Sequence, residues 1–400
     1  MKDNQTKYPQ LRFKGFTDPW VQRKAKDLFI PVNERNREDL PVLSVTQDQG
    51  VVFRNGLAID IKYDESTLSS YKVIHPGDFV ISLRSFQGGF ELSNVLGISS
   101  PAYTIFDFAV PAEQDKLYWK TIFKTFKFIE SLKTVTFGIR DGKSISFKEF
   151  GDLKLNYPSD VDEQRRIGEF FAKLDETIAA NQRKLDLLKE QKKGYLQKMF
   201  PKNGAKVPEL RLAGFADAWE QRKLGDYLSL PKKEKVEITN ARDLMTLKLH
   251  LRGIEAGTGR ETLSLGSTVY YKRSAGQFLY GKQNFFNGSM AIIPKKFDGK
   301  ATSGDVPALD INGINSGYLY TYVSRHDYWK AKEGDASGTG SKRIHESTLL
   351  KFGIMVPVNN AEQQKIGSFF KQLDDTITLH QRKLEKLQEL KKGYLQKMFC

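Results

Sequence analysis

Basic and amide side chains concentrate in two stretches of this chain where glycine, asparagine and aspartate predict loops. Arginine and lysine hydrogen-bond guanine edges, glutamine and asparagine hydrogen-bond adenine edges, and all four can hold a phosphate. The candidates in the first stretch are Arg35, Arg37, Gln47, Gln49, Arg54, Arg84, Gln87, Arg140 and Lys143. Those in the second stretch are Lys248, His250, Arg252, Arg260, Lys272, Arg273, Lys282, Gln283, Asn284, Lys342, Arg343 and His345. Singly each fits an ordinary surface residue, but together they predict nucleic-acid contacts.

The motifs that would carry catalysis are incomplete or absent. The run from Gly138 to Ser144 resembles a phosphate-binding loop, but Phe137 occupies the position of that motif's first glycine. We interpret the run as a basic turn before a strand. Gly257, Thr258 and Gly259 lack the third glycine of a dinucleotide-binding fingerprint. The tetrapeptide of adenine methyltransferases (Asn or Asp, Pro, Pro, aromatic) is also absent.

The histidines and the cysteine offer no metal site or nucleophile. The five histidines are scattered without metal-ligand spacing, and the only cysteine is Cys400. We therefore predict no catalytic residue, no metal and no cofactor in this chain. A single cysteine and an N-terminus without a hydrophobic segment favour the cytoplasm. No apolar run approaches the roughly 18 residues of a membrane span, so we expect no membrane partner.

The charge balance is strongly basic. Lysine and arginine exceed aspartate and glutamate by 15, and the pI is near 9.5. Such a chain favours polyanionic partners, because each phosphate that it neutralises releases condensed counterions. Solubility alone is the alternative explanation.

The chain contains two copies of one frame. Residues 163–200 and 362–399 align without a gap and are identical at 25 of 38 positions. The same offset (362 − 163 = 199) relates residues 9–24 to residues 208–223. A period this long indicates a domain duplication rather than a short structural repeat. Two similar frames around dissimilar inserts predict one scaffold that presents two recognition surfaces.

Each longer block of the frame predicts a helix of about 38 residues, or roughly 57 Å at 1.5 Å per residue. Apolar residues alternate at spacings of three and four, which is the period of a left-handed coiled coil. The first seam is Ile167, Phe171, Leu174, Ile178, Leu185, Leu188, Tyr195 and Met199, and the second is Ile366, Phe370, Leu373, Ile377, Leu384, Leu387, Tyr394 and Met398. Asp160 before Glu163, and Asn359 before Glu362, predict N-caps that resemble a capping box. Two helices with the same seam most simply pair antiparallel.

Polar residues interrupt both seams at equivalent positions. They are Asn181 and Lys192 in the first helix and His380 and Lys391 in the second. Such residues either specify the register of a coiled coil or mark solvated gaps in it. The sequence leaves both interpretations open.

The inserts, residues 25–158 and 224–357, contain short strand-like runs between turns. Examples are Val42–Val45, Asp78–Ser82 and Met290–Ile293. A sparse common skeleton at the 199-residue offset predicts a shared fold, namely Tyr71 with Tyr270, Gly77 with Gly276, Phe79 with Phe278, Ile145 with Ile344 and Pro158 with Pro357.

The pattern resembles the specificity (S) subunit of Type I restriction-modification systems. The matching features are the duplicated PxLRxxGFxxxW block, the duplicated block EQxxIGxFFxxLDxTI…QRKLxxLxExKKGYLQKMF, and two divergent inserts. The resemblance covers the whole chain. It implies that each insert is a target recognition domain for one half of a split, asymmetric DNA sequence. It also implies that the helices form the spacer between the half-sites.

The resemblance further implies a non-catalytic subunit that docks two modification subunits, which bind S-adenosylmethionine and methylate adenine at N6. Restriction subunits, with ATP and magnesium, would make the complex a translocase and endonuclease. The family supplies no residue code for the bases read.

The predicted fold class is α+β, with two β-rich α/β target recognition domains, two long helices in an antiparallel coiled coil and an internal pseudo-two-fold repeat. The expected segments are residues 1–159, 160–200, 201–358 and 359–400. Two other functions remain open at this point. One is a non-enzymatic scaffold for protein or another polyanion, and the other is a nuclease with an unrecognised site.

Overall fold

The computed structural model describes residues 7–46, 49–57, 65–82, 89–134, 145–202, 204–257, 268–338 and 341–399. The chain divides into two compact units. The first unit comprises Met1–Gln182 and Arg382–Cys400, and the second comprises Arg183–Gln381.

The first unit begins with a long insert and continues into a long helix. Its helices are α1 (Ala25–Leu28), α2 (Lys116–Ile122), α3 (Phe126–Leu132), α4 (Phe147–Gly151) and the start of α5 (Val161–Lys198). Its strands are β1 (Val21–Lys24), β2 (Phe29–Val32), β3 (Leu43–Thr46), β4 (Gly50–Phe53), β5 (Lys72–Ile74), β6 (Phe79–Ile81), β7 (Phe90–Leu92), β8 (Gly97–Ser99), β9 (Thr104–Phe108) and β10 (Lys154–Tyr157). Short 3₁₀ turns lie at Arg54–Gly56, Glu65–Ser70 and Pro111–Glu113.

The second unit follows the same plan. Its strands are β11 (Glu220–Lys223), β12 (Leu228–Ser229), β13 (Lys235–Val236), β14 (Met245–Leu247), β15 (Ile254–Ala256), β16 (Tyr270–Lys272), β17 (Phe278–Tyr280), β18 (Met290–Ile292), β19 (Ala301–Ser303), β20 (Ala308–Ile311) and β21 (Gly353–Val356). Its helices are α6 (Ser316–Val323), α7 (His326–Ala331), α8 (Glu346–Leu349) and the start of α9 (Asn360–Lys397). The 3₁₀ turns are Leu224–Asp226, Ala241–Asp243, Phe285–Asn287, Lys295–Phe297 and Lys332–Asp335.

Each unit is built on a four-stranded antiparallel sheet. The strand order is β2-β9-β6-β7 in the first unit and β12-β20-β17-β18 in the second, so the two orders are equivalent. The pairs β1-β10 and β11-β21 join the beginning of each insert to its end. Smaller sheets are β3-β4 and β5-β8 in the first unit, and β14-β15 and β13-β16-β19 in the second. These sheets, with the two long helices, confirm the predicted fold class.

Two pairs of the common skeleton predicted from the sequence, Phe79 with Phe278 and Gly77 with Gly276, lie in or just before a central strand of each four-stranded sheet. Phe79 and Phe278 are the first residues of β6 and β17, and both are fully buried. The turns before these strands contain Gly77 and Gly276, with φ of 98° and 86°. Glycine is favoured there because a Cβ disfavours positive φ. The shared residues therefore place the same strand at the middle of each sheet.

Both long helices have the predicted length of 38 residues, and each is divided between the two units. Each unit therefore contains the first part of one helix and the last part of the other. The sequence-based division treated the helices as segments of their own, whereas the compact units divide each helix near its middle.

Within each unit the helices pack antiparallel. In the first unit the rings of Phe170 and Tyr394 meet edge to face with centroids 5.1 Å apart. In the second, Tyr195 and Phe369 meet in the same way at 5.1 Å. The start of one helix thus lies beside the end of the other in both units.

The lysines that interrupt the seams pair across the helices. Lys391 lies 2.5 Å from Asp175 in the first unit, and Lys192 pairs with Asp374 in the second. These pairs run in the same antiparallel direction as the ring contacts. For the two lysines they favour the register interpretation over solvated gaps, because each has a specific partner on the facing helix. The Asn181 amide instead donates to the Thr177 carbonyl of its own helix, so for it the register interpretation stays a prediction.

The N-caps of the long helices are present, but the predicted capping box is wrong. The Asp160 carboxylate accepts hydrogen bonds from the N–H groups of Asp162 and Glu163, at 2.8 and 3.3 Å, and Asn359 caps Ala361 at 2.8 Å. The third-position glutamates do not return to the cap, since each binds an arginine far away in sequence.

These glutamates form two equivalent buried ion pairs, which we call the frame locks. Arg12 donates two hydrogen bonds of 2.7 Å to Glu163, and Arg211 donates two of 2.8 Å to Glu362. Both glutamates are 1% exposed. Hydrogen bonding to Glu362 also raises the pKa of Arg211. Each lock ties the block that precedes an insert to the helix that follows it.

Candidate nucleic-acid interface

By sequence position, most of the predicted contact residues fall beside equivalent elements of the two units. Gln47 and Gln49 fall between β3 and β4 in the sequence, and the β14–β15 turn carries Lys248, His250 and Arg252. Arg84 and Gln87 follow β6 in the sequence, and the loop after β17 carries Lys282, Gln283 and Asn284. The segment before α4 carries Arg140 and Lys143, and the one before α8 carries Lys342 and Arg343. The candidates of the two dissimilar inserts thus occur at matching positions of the sequence relative to equivalent elements.

Six candidates lie outside the described residues, namely Gln47, Arg84, Gln87, Arg140, Lys143 and Arg260. The phosphate-loop-like run before Ile145 and Thr258 with Gly259 also lie outside them. The element that follows the first of these runs is helix α4 rather than the expected strand, because Ser146 and Glu149 form a capping box that starts a helix.

The remaining candidates of the first unit lie at its surface. Arg35 and Gln49 are exposed. Arg37 pairs with Asp39 at 2.9 Å, and this bond raises the pKa of Arg37. The half-buried Arg54 donates a 3.0 Å hydrogen bond to the Ser44 hydroxyl.

In the second unit the three loops contact one another. We call residues 248–253, 281–289 and 341–346 the loop cluster. The backbone N–H groups of His250 and Leu251 donate to the carbonyls of Asn287 and Gly288, at 3.0 and 2.8 Å. The Ile344 N–H donates to the Lys282 carbonyl at 2.8 Å. Backbone hydrogen bonds therefore join all three loops into one surface.

Acidic partners hold several cations of the loop cluster in place. Lys282 lies 3.0 Å from Glu346, and Arg343 lies 2.8 Å from Asp305. Burial alone would raise the pKa of Glu346, but hydrogen bonds from its own backbone and from Lys282 hold that pKa below its usual value. Lys248 pairs with Glu255 at 2.8 Å. These carboxylates were not among the predicted site residues, because only basic and amide side chains were considered, although they fix the positions of the cations.

Other candidates of the second unit are also engaged within the protein. Lys342 lies 3.5 Å from Glu333, Lys272 lies 3.3 Å from Glu234, and the Asn284 side chain accepts from Asn287. His345 is exposed at the start of α8.

Arg273 is placed differently from the other candidates. It is 6% exposed, and it donates to the Thr302 hydroxyl at 2.8 Å and to the Val306 carbonyl at 3.2 Å. Burial lowers its pKa to about 10. The guanidinium is therefore held by β19 and the turn after it instead of projecting from the surface.

Within the described ranges, no group of three or more histidine, cysteine, aspartate or glutamate side chains could hold a metal ion. None of the helices described is long and apolar enough to cross a membrane.

Comparison with known proteins identifies this architecture. Residues 217–389 match the model of the Type I restriction modification DNA specificity domain. The S subunit of a Type I restriction-modification system from M. genitalium has a similar structure, with a TM-score of 0.63 and 14% identity over 98% of this chain and 99% of that one. Among curated proteins, none matches this chain in sequence.

Two further solved structures align over 95% of this chain. The HsdS subunit from Thermoanaerobacter tengcongensis does so over 96% of its own length, with a TM-score of 0.43 and 14% identity. A structure that describes complex assembly and conformational transition of the type I R-M system does so over 97% of its length, with a TM-score of 0.46 and 13% identity.

The matched domain is a non-catalytic DNA-recognition module, which agrees over residues 217–389 with the prediction of no catalytic residue. The structural likeness to the M. genitalium subunit extends the same fold over the first unit. The chain therefore contains a Type I restriction-modification DNA specificity domain in its second half and has the fold of a Type I specificity subunit along its length.

Proposed function

We propose that this chain reads a bipartite, asymmetric DNA sequence, with one half-site bound by each unit, and docks the modification and restriction subunits of a Type I complex. The observation that carries the proposal is the combination of one frame with two sets of loop residues. Both units have the same sheet order and the same frame lock, yet the residues in their matching loops differ. Two different surfaces on one scaffold suit two different half-sites.

The long helices are the proposed spacer between the half-sites. Each is continuous over 38 residues and passes from one unit into the other. At 1.5 Å per residue a helix of this length spans roughly 57 Å, whereas one turn of DNA is about 34–36 Å. The helices are thus long enough to separate two half-sites by about one turn.

The division of labour assigns the cofactors to the partner subunits. S-adenosylmethionine would bind the two modification subunits, and ATP with magnesium would bind the restriction subunits. The isolated chain should bind neither S-adenosylmethionine nor ATP at micromolar concentration. Stoichiometric binding of either in a calorimetric titration would contradict this assignment. Because its substrate is chromosomal or incoming DNA, we place the protein in the cytoplasm.

Exchange of one insert tests the two-reader proposal directly. Residues 25–158 would be replaced by the corresponding insert of a relative, and the chain expressed with its modification subunits. Mapping of methylated adenines in the genome should show one half-site changed and the other retained. A swap that alters both half-sites would show that the inserts do not read independently.

A heptad inserted into both helices tests the spacer. Insertion after Lys184 and after Lys383 preserves the apolar seam. It adds roughly 10 Å to the helix, or about three base pairs of DNA. Both half-sites should remain while the gap between them grows. A four-residue insertion is the control, since it breaks the seam and should reduce thermal stability. Methylation at the original spacing by a well-folded heptad variant would rule out the helices as the spacer.

A further inference from the structure

We propose that three side chains of the loop cluster, His250, Arg252 and Gln283, read the bases of the half-site bound by the second unit. The paired cations of the same loops would instead shape the surface and hold phosphate. This proposal rests on the proposed function above, because it assumes that the second unit binds DNA.

The three side chains differ in availability from the lysines and the other arginine of the same loops, which are paired. His250 and Arg252 are exposed and Gln283 is half-buried. In the part of the chain that the structure describes, none of these three side chains has a hydrogen bond or an ion pair within the protein. Their polar groups can therefore bond a base edge without first giving up another partner.

The neighbouring cations are already committed. Lys248, Lys282 and Arg343 lie within 3.0 Å of Glu255, Glu346 and Asp305 respectively. A paired cation that turned to a base would leave its carboxylate without a partner. For the half-buried Glu346, that loss is especially unfavourable.

The backbone that presents His250 is held in an unusual conformation. His250 and Leu251 have φ of 56° and 57°, which residues with a Cβ rarely adopt. Two backbone hydrogen bonds to Asn287 and Gly288 hold this turn. Such conformations persist only where surrounding contacts enforce them, and they are common at binding sites. Because the turn at His250 and Leu251 is already fixed in the free protein, it loses little conformational freedom on binding DNA.

The chemistry of the three groups assigns them different bases. The fork of Arg252 matches the O6 and N7 acceptors of guanine, and the amide of Gln283 matches N6 and N7 of adenine. The His250 ring supplies one further contact from the fixed turn. The second half-site should thus specify a guanine through Arg252 and an adenine through Gln283.

The test uses the full chain with its modification subunits in a host without other adenine methylation. Methylated sites are mapped for wild type, Arg252→Ala, Gln283→Ala and His250→Asn, the last because asparagine tolerates a left-handed backbone. Matched controls are Lys248→Ala and Arg343→Ala, from the same loops. Thermal melting of each variant is measured in parallel.

We expect Arg252→Ala to lose a guanine requirement at one position, and Gln283→Ala an adenine requirement. Discrimination there should fall roughly 10- to 100-fold, with the other half-site and the gap unchanged. His250→Asn should relax one position of the same half-site. The controls should keep the sequence and only lower the extent of methylation or the melting temperature. Arg252→Lys, which keeps the charge but not the fork, should also lose the guanine requirement.

Two results would overturn the inference while leaving the proposed function intact. One is a full wild-type sequence read by all three variants. The other is an altered sequence read by either control. A wild-type complex that methylates no defined sequence would instead overturn the proposed function, and the inference with it.

Discussion

In each unit a side-chain hydroxyl donates a hydrogen bond to the equivalent backbone carbonyl, but the hydroxyl comes from a different residue in each. In the second unit the Tyr280 hydroxyl, on β17, donates to the Ile344 carbonyl at 3.1 Å. In the first unit the equivalent carbonyl, that of Ile145, accepts from the Thr104 hydroxyl on β9 at 3.0 Å. The position before α4 or α8 needs a buried donor, but two neighbouring strands can supply it. Alignment by identity therefore underestimates how similar the inserts are.

The buried faces of the two sheets differ in charge as well. Glu91 on β7 is 5% exposed and pairs with Lys124, whereas the equivalent position on β18 is Ala291. The frame, by contrast, repeats its contacts closely in the two units. In the frame, most of the individual residues and their contacts are the same in both units. In the inserts, it is chiefly the positions of the strands and of the hydrogen-bond donors that are the same, and most residues differ.

Removal of a frame lock should have the largest effect on stability and tests whether the two units are equivalent. Glu163→Ala leaves the Arg12 guanidinium without its carboxylate and should cost about 3–5 kcal/mol of unfolding free energy. Glu362→Ala should cost a similar amount. Glu169→Ala, an exposed change on the same helix as Glu163, is the control. Chemical denaturation gives the three values, and a large effect in only one unit would contradict the equivalence.

The glycines of the long helices sharpen the same comparison. A Cβ at Gly168 would lie 2.6 Å from the Tyr118 amide nitrogen, and one at Gly367 would lie 2.8 Å from that of Tyr318. Alanine at either position should therefore destabilise by about 1–3 kcal/mol, because the backbone of α2 or α6 must move.

The matched controls are Gly194→Ala and Gly393→Ala, where a Cβ would meet no atom within 4 Å. These changes should stabilise by up to about 1 kcal/mol, since alanine favours the helix. Thermal melting of the four variants tests the contrast, which fails if all four shift in the same direction.

The hydrogen bond from Tyr280 to the Ile344 carbonyl and that from Thr104 to the Ile145 carbonyl should stabilise the protein by similar amounts. Tyr280→Phe and Thr104→Val each remove one hydroxyl with little change of volume, and each should cost about 1 kcal/mol. Chemical denaturation of both variants measures this. If Tyr280→Phe alone were destabilising, Thr104 would not be the functional equivalent of the tyrosine.

The smallest expected effect is a change in the pH dependence of thermal stability when the buried Glu91 is replaced. Burial raises the pKa of Glu91 above 4.5, and Lys124 only partly opposes this shift. The folded protein therefore binds the Glu91 proton more tightly than the unfolded chain does. Above the folded-state pKa the buried, ionised carboxylate destabilises the protein, and this destabilisation disappears as pH falls toward 4.5 and the carboxyl becomes protonated. Glu91→Gln should melt above wild type at pH 8, and the advantage should shrink near pH 4. Parallel melting curves across this range would contradict the expectation.

Local patterns predicted a large part of the fold. The three-and-four spacing predicted both helices and their length, and Ile167, Phe171, Leu185 and Met199 of the first seam are buried. The runs 78–82 and 290–293 contain strands β6 and β18, and the run 42–45 overlaps β3 at all but its last residue. Such patterns are readable because neighbours in sequence share one face of a helix or strand.

The frame locks were missed for a physical reason. Each arginine lies 151 residues before its glutamate, and no periodic pattern links groups at that separation. The only available signal was that Arg12 with Glu163 and Arg211 with Glu362 recur at one offset. Glu163 was therefore assigned to a capping box, which is the local use of glutamate three residues after a cap.

The sequence by itself determined that one frame occurs twice, that long helices with an apolar seam follow each insert, and that cations and amides gather in the loops. Only the tertiary structure decided which of those side chains remain available in the second unit. Lys282 and Arg343 meet carboxylates brought from other segments, whereas His250 and Arg252 do not. Charge counts along a chain contain no such information, because an ion pair depends on which groups folding brings within a few ångströms.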